Sequence, residues 1–299
     1  MTALLDSAAL DQAGDTGTTP ARLLRAEFMK IRTTDTGWLF LAGFLVFTAL
    51  ALTANGFSTH FQLYPQQGQG DRAQALAAAA QARTPAGAAA ISASMMTSGQ
   101  RIGVIFALLL GVLIVTSEFA NQTAAVTFVT VPRRVTVISA KLAAAACCGA
   151  LFWLVGTIIA AVTTPLFLYS QHVSVSLAGW TVARSVLLSL LAFVAWGVFG
   201  LGLGAVLRSQ TASLLAAIAV YGGSFGALLV FTVLYNLFHQ GWMLGAPVIA
   251  PALASEVLTT SGPAFPNAPP AWVGGIILIA YVVALAAAGL ALTKRRDVI

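Results

Sequence analysis

Side chains able to do chemistry are scarce in this chain, and their spacing excludes most of it. Between Asp71 and Asp297 the only acids are Glu118 and Glu256. An intramembrane protease or acyltransferase needs clustered acids or histidines within its spans, and a proton-coupled carrier needs a relay of them. Neither pattern is present. His60, His172 and His239 are far apart and have no carboxylate or cysteine at metal-ligand spacing, so they read as isolated surface residues. Cys147 and Cys148 are adjacent in an apolar run, which suits small packed side chains better than a disulfide framework. No G-x-x-x-x-G-K-[ST] phosphate loop occurs, and none of Lys30, Lys141 and Lys294 follows a glycine. No catalytic, cofactor-binding or metal-binding residue is therefore expected in the chain, and any role driven by ATP needs a partner.

The composition explains the scarcity. Charged residues make up 8% of the 299 residues and hydrophobic residues 59%. A soluble domain carries roughly 25% charged residues, so this chain cannot cover a globular surface with charge. A disordered chain would need the opposite bias. A polytopic membrane protein is what fits. The net charge of +6 then reads as basic loops held at an anionic membrane face, with no nucleic-acid partner implied.

Charge-free gaps mark the elements that must position the few polar groups. A helix needs about 20 mostly apolar residues to cross a bilayer. Six gaps predict six transmembrane helices, near 37–54, 96–116, 142–168, 180–207, 211–238 and 272–293. Arg101, near the start of the second, is expected to snorkel. An even number of spans puts both ends on one side. Eleven of the 15 basic residues fall there: Arg22, Arg25, Lys30, Arg32, Arg133, Arg134, Lys141, Arg208, Lys294, Arg295 and Arg296. The excess of basic residues predicts cytoplasmic termini. Trp38, Trp153, Trp180, Trp242 and Trp272 suit an aromatic belt. Gly200 with Gly204, and Gly222 with Gly226, form two G-x-x-x-G spacings, which suggest close helix packing.

The remaining segments divide clearly. Residues 1–20 carry Asp6, Asp11 and Asp15 and no basic residue, wrong for a signal peptide, and read as a flexible tail. Residues 21–299 form the membrane domain. Thr19-Pro20 opens a helix, with Leu23, Leu24, Phe28 and Ile31 on one face and Arg22, Arg25, Lys30 and Arg32 on the polar side. This predicts an amphipathic helix along the membrane surface. An external cap is expected over about 55–95, with an Ala-rich helix ending at Thr84-Pro85. A Pro-rich external loop is expected over about 239–271, with a short re-entrant or interfacial helix at 251–258 that protein must cover. The link 117–140 is too polar for a span and too apolar for an idle loop. Ser117 is expected to cap a short helix there, with Glu118 in its first turn and Pro132 ending it.

The stretches RLLRAEFMKIRTTDTGWLF (22–40), SEFANQTAAVTFVTVPRRVTVISAKL (117–142) and RSQTA (208–212), in that order, resemble the permease subunit of ABC-2 transporters, as found in actinobacteria. The resemblance covers nearly the whole chain past residue 20, while the external loops of that family vary and the 55–95 segment has no counterpart to map. It implies an all-α fold: six spans, an N-terminal surface helix and a cytoplasmic coupling helix. It also implies a second permease subunit, identical or related, and a separate ATP-binding subunit that holds ATP and Mg. By the same resemblance, Glu118, Phe119, Asn121, Gln122, Thr123, Thr127 and Phe128 would contact that subunit. Arg22, Arg25, Lys30, Arg32, Arg133, Arg134 and Lys141 would anchor the chain at the surface of the plasma membrane.

The expected function is transport of a hydrophobic or amphipathic compound, with export implied by the resemblance. The apolar predicted pathway favours such cargo. The alternatives are a non-transporting scaffold or sensor, with the cap as its ligand-binding part, and an ATP-independent carrier. A scaffold would neither bind an ATP-binding subunit nor change its turnover. A carrier would be indifferent to changes at Glu118.

Overall fold

A computed structural model describes residues 20–65, 72–120 and 134–295. Ten α-helices account for most of them: α1 (Pro20–Thr33), α2 (Asp35–Leu63), α3 (Arg72–Ala82), α4 (Pro85–Met96), α5 (Gln100–Ala120), α6 (Arg134–Ser170), α7 (Trp180–Leu207), α8 (Gln210–Phe238), α9 (Pro251–Thr259) and α10 (Ala271–Arg295). Among the described residues there is no strand. In lipid a helix satisfies every backbone group of a long apolar stretch within the stretch itself. Six stretches are long and apolar enough to cross a bilayer: α2, α4 with α5, α6, α7, α8 and α10. All six expected spans are present, and the fourth has the expected bounds, Trp180–Leu207.

The ends are chemically marked. Thr84 caps α4 by accepting from the Gly87 amide at 3.2 Å, with Pro85 in the first turn. Arg208 takes a left-handed φ of 56° to close α7, and Ser209 caps α8 at once, so two spans meet in a two-residue turn.

α7 is the hub, packed against α5, α6 and α10. Its glycines permit this. A Cβ on Gly200 would collide with the Leu108 carbonyl oxygen of α5, and one on Gly197 would stand 2.6 Å from the Ala145 carbonyl oxygen of α6. The Gly200/Gly204 spacing therefore serves close packing within the chain. Gly222, Gly223 and Gly226 of α8 meet nothing within 4 Å. The main core packs Phe44, Leu108 and Phe152 around Phe193 and Trp196 of α7.

Four expectations need correction. First, the 55–95 segment is more deeply integrated than a cap. α2 continues to Leu63, and α4 buries Ala88, Ile91, Ala93 and Met95 against α7 and α6. Alanine-rich helices are slim enough to enter a bundle, which composition alone does not disclose. Second, Ser117 does not cap a new helix, because α5 runs through it to Ala120. Third, Trp153 is no belt residue; its indole N–H donates to Val186 O and Ser189 Oγ of α7, both at 3.0 Å. Trp38, Trp180, Trp242 and Trp272 are exposed. Fourth, Arg101 does not simply snorkel, since it pairs with Glu256 of α9.

Candidate functional site

Two polar sites lie at opposite ends of the bundle. The first joins the end that carries both α1 and the close of α10. There, four charges from three helices meet. Lys141 Nζ of α6 donates to Glu27 Oε1 of α1 at 3.0 Å and to Glu118 Oε1 of α5 at 2.7 Å. Lys30 Nζ of α1 donates to the same two oxygens, at 3.1 Å and 2.7 Å. Lys141 Nζ also reaches the Ile114 carbonyl at 3.4 Å. Two acids and two ammonium groups leave no net charge.

The cluster is inside the protein. Glu27, Glu118 and Lys141 are 7%, 6% and 3% exposed. Only Lys30 reaches out, with half its side chain accessible. Burial alone would lower the Lys30 pKa. Hydrogen bonds and charge from Glu118 and Glu27 outweigh burial and hold it above the ordinary 10.5. Buried pairs gain little over apolar packing, yet removing one partner strands a charge at a cost of roughly 3–5 kcal/mol. The cluster therefore specifies one arrangement of α1, α5 and α6.

Local sequence explains how α1 arrives. Leu24, Glu27, Phe28 and Ile31 follow the i, i+3, i+4, i+7 rule and share a face. Leu24, Phe28 and Ile31 pack against the core, and Glu27 enters with them. Sequence reasoning missed Glu27. The signal was available, as an acid within an apolar stripe, but it was masked by the charged residues around it.

The expected contact residues separate into groups. Glu118 and Lys141 are enclosed in the cluster, so neither offers its charge outward to a partner or a headgroup. Phe119 is half-buried beneath the Arg208 guanidinium, 5.5 Å from its ring centre. Arg208 also reaches the Leu292 carbonyl of α10 at 3.4 Å, which ties the α7–α8 turn to this end. Arg25 and Arg32 are exposed. Asn121, Gln122, Thr123, Thr127, Phe128, Pro132 and Arg133 lie outside the described residues, as do residues 1–19 and the side chains of Arg22 and Arg134. The cluster stands at both flanks of the 121–133 segment: Glu118 lies just before it and Lys141 about two turns into the helix that follows it.

The second site is at the far end. The short helix α9 has eight of its nine residues buried. Such a helix must satisfy its free backbone groups internally. The Ala252 amide donates to Ser224 Oγ of α8 at 3.2 Å. Gln100 Nε2 donates to Ser255 O and Thr259 Oγ1 at 3.3 Å and 2.9 Å. Protein covers α9, as membrane depth requires of the expected 251–258 helix. Beside it opens a cavity of about 430 Å³ between α2, α4, α5, α8 and α9. The histidines do other work: His60 Nδ1 stands 2.7 Å from Gln171 Oε1, and His172 and His239 take left-handed φ values at helix ends.

A family model described as "ABC-2 family transporter protein" matches residues 21–298. Among curated proteins, none matches the chain.

Proposed function

The chain belongs to the ABC-2 family of transporter proteins, and on that footing we propose that it is the six-span permease half of an exporter for an amphipathic compound, driven by a separate ATP-binding subunit. It is a membrane transport component, and in its family the membrane component is not itself the ATPase. In this reading both termini are cytoplasmic, α1 lies along the inner face of the plasma membrane, and two permease chains, identical or related, enclose the pathway. The open glycine strip of α8 suits contact with the second chain.

The observation that carries the reading is the buried cluster of Glu27, Lys30, Glu118 and Lys141. It locks α1, α5 and α6 together at both roots of the 121–133 segment, where the family seats its coupling helix. A push on that segment is passed to three helices as one rigid unit. Asn121, Gln122, Thr123, Thr127 and Phe128 make the contact with the ATP-binding subunit; Glu118 holds the segment's root. Nucleotide state then shifts the permease population by binding one arrangement better than the other.

The test is co-purification. The tagged chain is co-expressed with the candidate ATP-binding subunit and extracted in mild detergent, and bound ATP hydrolysis is measured. Co-elution in fixed ratio with measurable hydrolysis is expected. A chain that elutes alone, with hydrolysis by the ATP-binding subunit unchanged by its presence, contradicts the transporter reading and favours a scaffold.

A further inference from the structure

The 430 Å³ cavity at the far end falls within the roughly 300–1,000 Å³ of small-ligand sites. Two opposite charges stand in its wall, Arg101 of α5 and Glu256 of α9. Their pairing is partial. Arg101 gives one nitrogen, Nη2, to Glu256 Oε1. A guanidinium has five N–H donors, and among the described residues Nη1 and Nε of Arg101 have no acceptor. The Arg101 side chain is 66% exposed and that of Glu256 17%. Glu256 Oε2 likewise has no donor among the described residues. Each charge therefore keeps an unused edge in the wall of a cavity.

The neighbours of the pair extend both of its roles. Ser58, Ser94 and Tyr221 line the cavity with hydroxyls whose protons no acceptor takes among the described residues. They can add to what Arg101 donates. The rings of Tyr221 and Phe225 stand 5.5 Å apart, inclined at 66°, and both line the cavity. Arg101 and Glu256 both act electrostatically on the Tyr221 hydroxyl, so this ring lies near the ion pair. Aromatic rings next to a carboxylate attract an ammonium group, by the ring quadrupole and by charge. Ala51, Ile102 and Val104 supply apolar wall.

We propose that this cavity binds a zwitterionic head group, with its anionic part on the unused edge of Arg101 and its ammonium between Glu256 Oε2 and the rings of Tyr221 and Phe225. The choice follows from charge. An anion alone would sit on Arg101 against the Glu256 carboxylate. A cation alone would sit on Glu256 against the guanidinium. In either case repulsion from the second charge offsets attraction to the first. A head that carries both charges, laid antiparallel to the pair, meets attraction at both ends. An uncharged polyol would make only neutral-partner bonds or single charge-assisted ones, with no charge of its own to match. That the bound molecule is cargo rests on the transporter reading; the binding itself does not.

The full chain in dodecyl maltoside micelles is exposed to a trace of dodecylphosphocholine carrying a diazirine on its first tail carbon. Cross-linked peptides are mapped by mass spectrometry. Labelling should concentrate at 51–58, 94–104, 221–225 and 252–260. Dodecyl phosphate, dodecyltrimethylammonium and dodecyl glucoside with the same diazirine should label those peptides about tenfold less, the loss expected when one charge-assisted contact goes. Glu256→Gln should turn the preference to the phosphate probe, and Arg101→Gln to the ammonium probe. A merely structural role of either residue would not produce that reversal. The head-group comparison on wild-type protein stands even if a variant misfolds. Unlabelled competitors identify the source. Displacement by tail-free glycerophosphocholine marks a free zwitterion as ligand, and displacement by dioctanoylphosphatidylcholine alone marks a lipid or another amphiphile. Equal labelling by all four probes, stronger labelling by any probe other than the zwitterion, labelling that neither competitor displaces, or folded variants that keep the wild-type preference would overturn the proposal. No ATP-binding subunit is present, so a failed co-purification would remove the cargo role and leave this result untouched.

Discussion

A lysine at the start of a membrane span ordinarily reaches for headgroups, but Lys141 faces two carboxylates instead. Its neutral partner set makes single substitutions asymmetric. Glu118→Gln leaves two ammonium groups sharing Glu27, at a cost of roughly 3–5 kcal/mol to this corner, and should lower the unfolding temperature of the purified chain. Lys30 sets the pH response. Its folded pKa lies above its unfolded value, so its stabilisation is complete below about pH 10 and is lost as pH rises through the folded pKa, above 10.5. The rate of thiol labelling of Phe28→Cys, divided by that of a free thiol at the same pH, should therefore be flat from pH 7 to about 10 and rise beyond it. A rise in that ratio at neutral pH would contradict the docking of α1. Glu118 was legible in the sequence because acids are so few there. Its role was not, because one-dimensional order cannot show that Glu27, Lys30 and Lys141 converge on it.

Helices differ in what their glycines face. Gly200→Leu drives a side chain into the backbone of α5 and should abolish stable expression, since overpacking a tight core costs about 1–3 kcal/mol even without a backbone collision. Gly222→Leu enters open space and should leave the fold intact. Equal yields and equal unfolding temperatures for both variants would refute the packing of α7. The two G-x-x-x-G spacings are indistinguishable as sequence, because spacing defines a face and not its neighbour. The spans themselves were legible from gaps between charges, a property of single elements. α4 was not, since alanine patterns serve an exposed helix and a buried slim one equally. The 251–258 helix was legible through Pro251 and the apolar run behind it.

For the whole molecule, a polar lock at one end and a cavity with polar and apolar walls at the other are joined by α5. That helix carries Gln100 and Arg101 at its first turn and Glu118 at its last. Twenty-one residues span about 31 Å, close to the apolar thickness of a bilayer. A rigid α5 is thus placed to relate events at the 121–133 segment to the cavity. Composition announced a membrane protein. The connection between its ends had to await the fold, because the residues of each site come from three helices or more. The most direct test is a charge-reversal cycle, read as ATP hydrolysis co-eluting with the tagged chain. Glu118→Lys and Lys141→Glu should each lower it about tenfold or more, as broken contacts between charges do, and the double variant should recover most of it. Singles that behave like wild type, or a folded double variant no better than the singles, would contradict the claim that this buried cluster connects the permease to its motor.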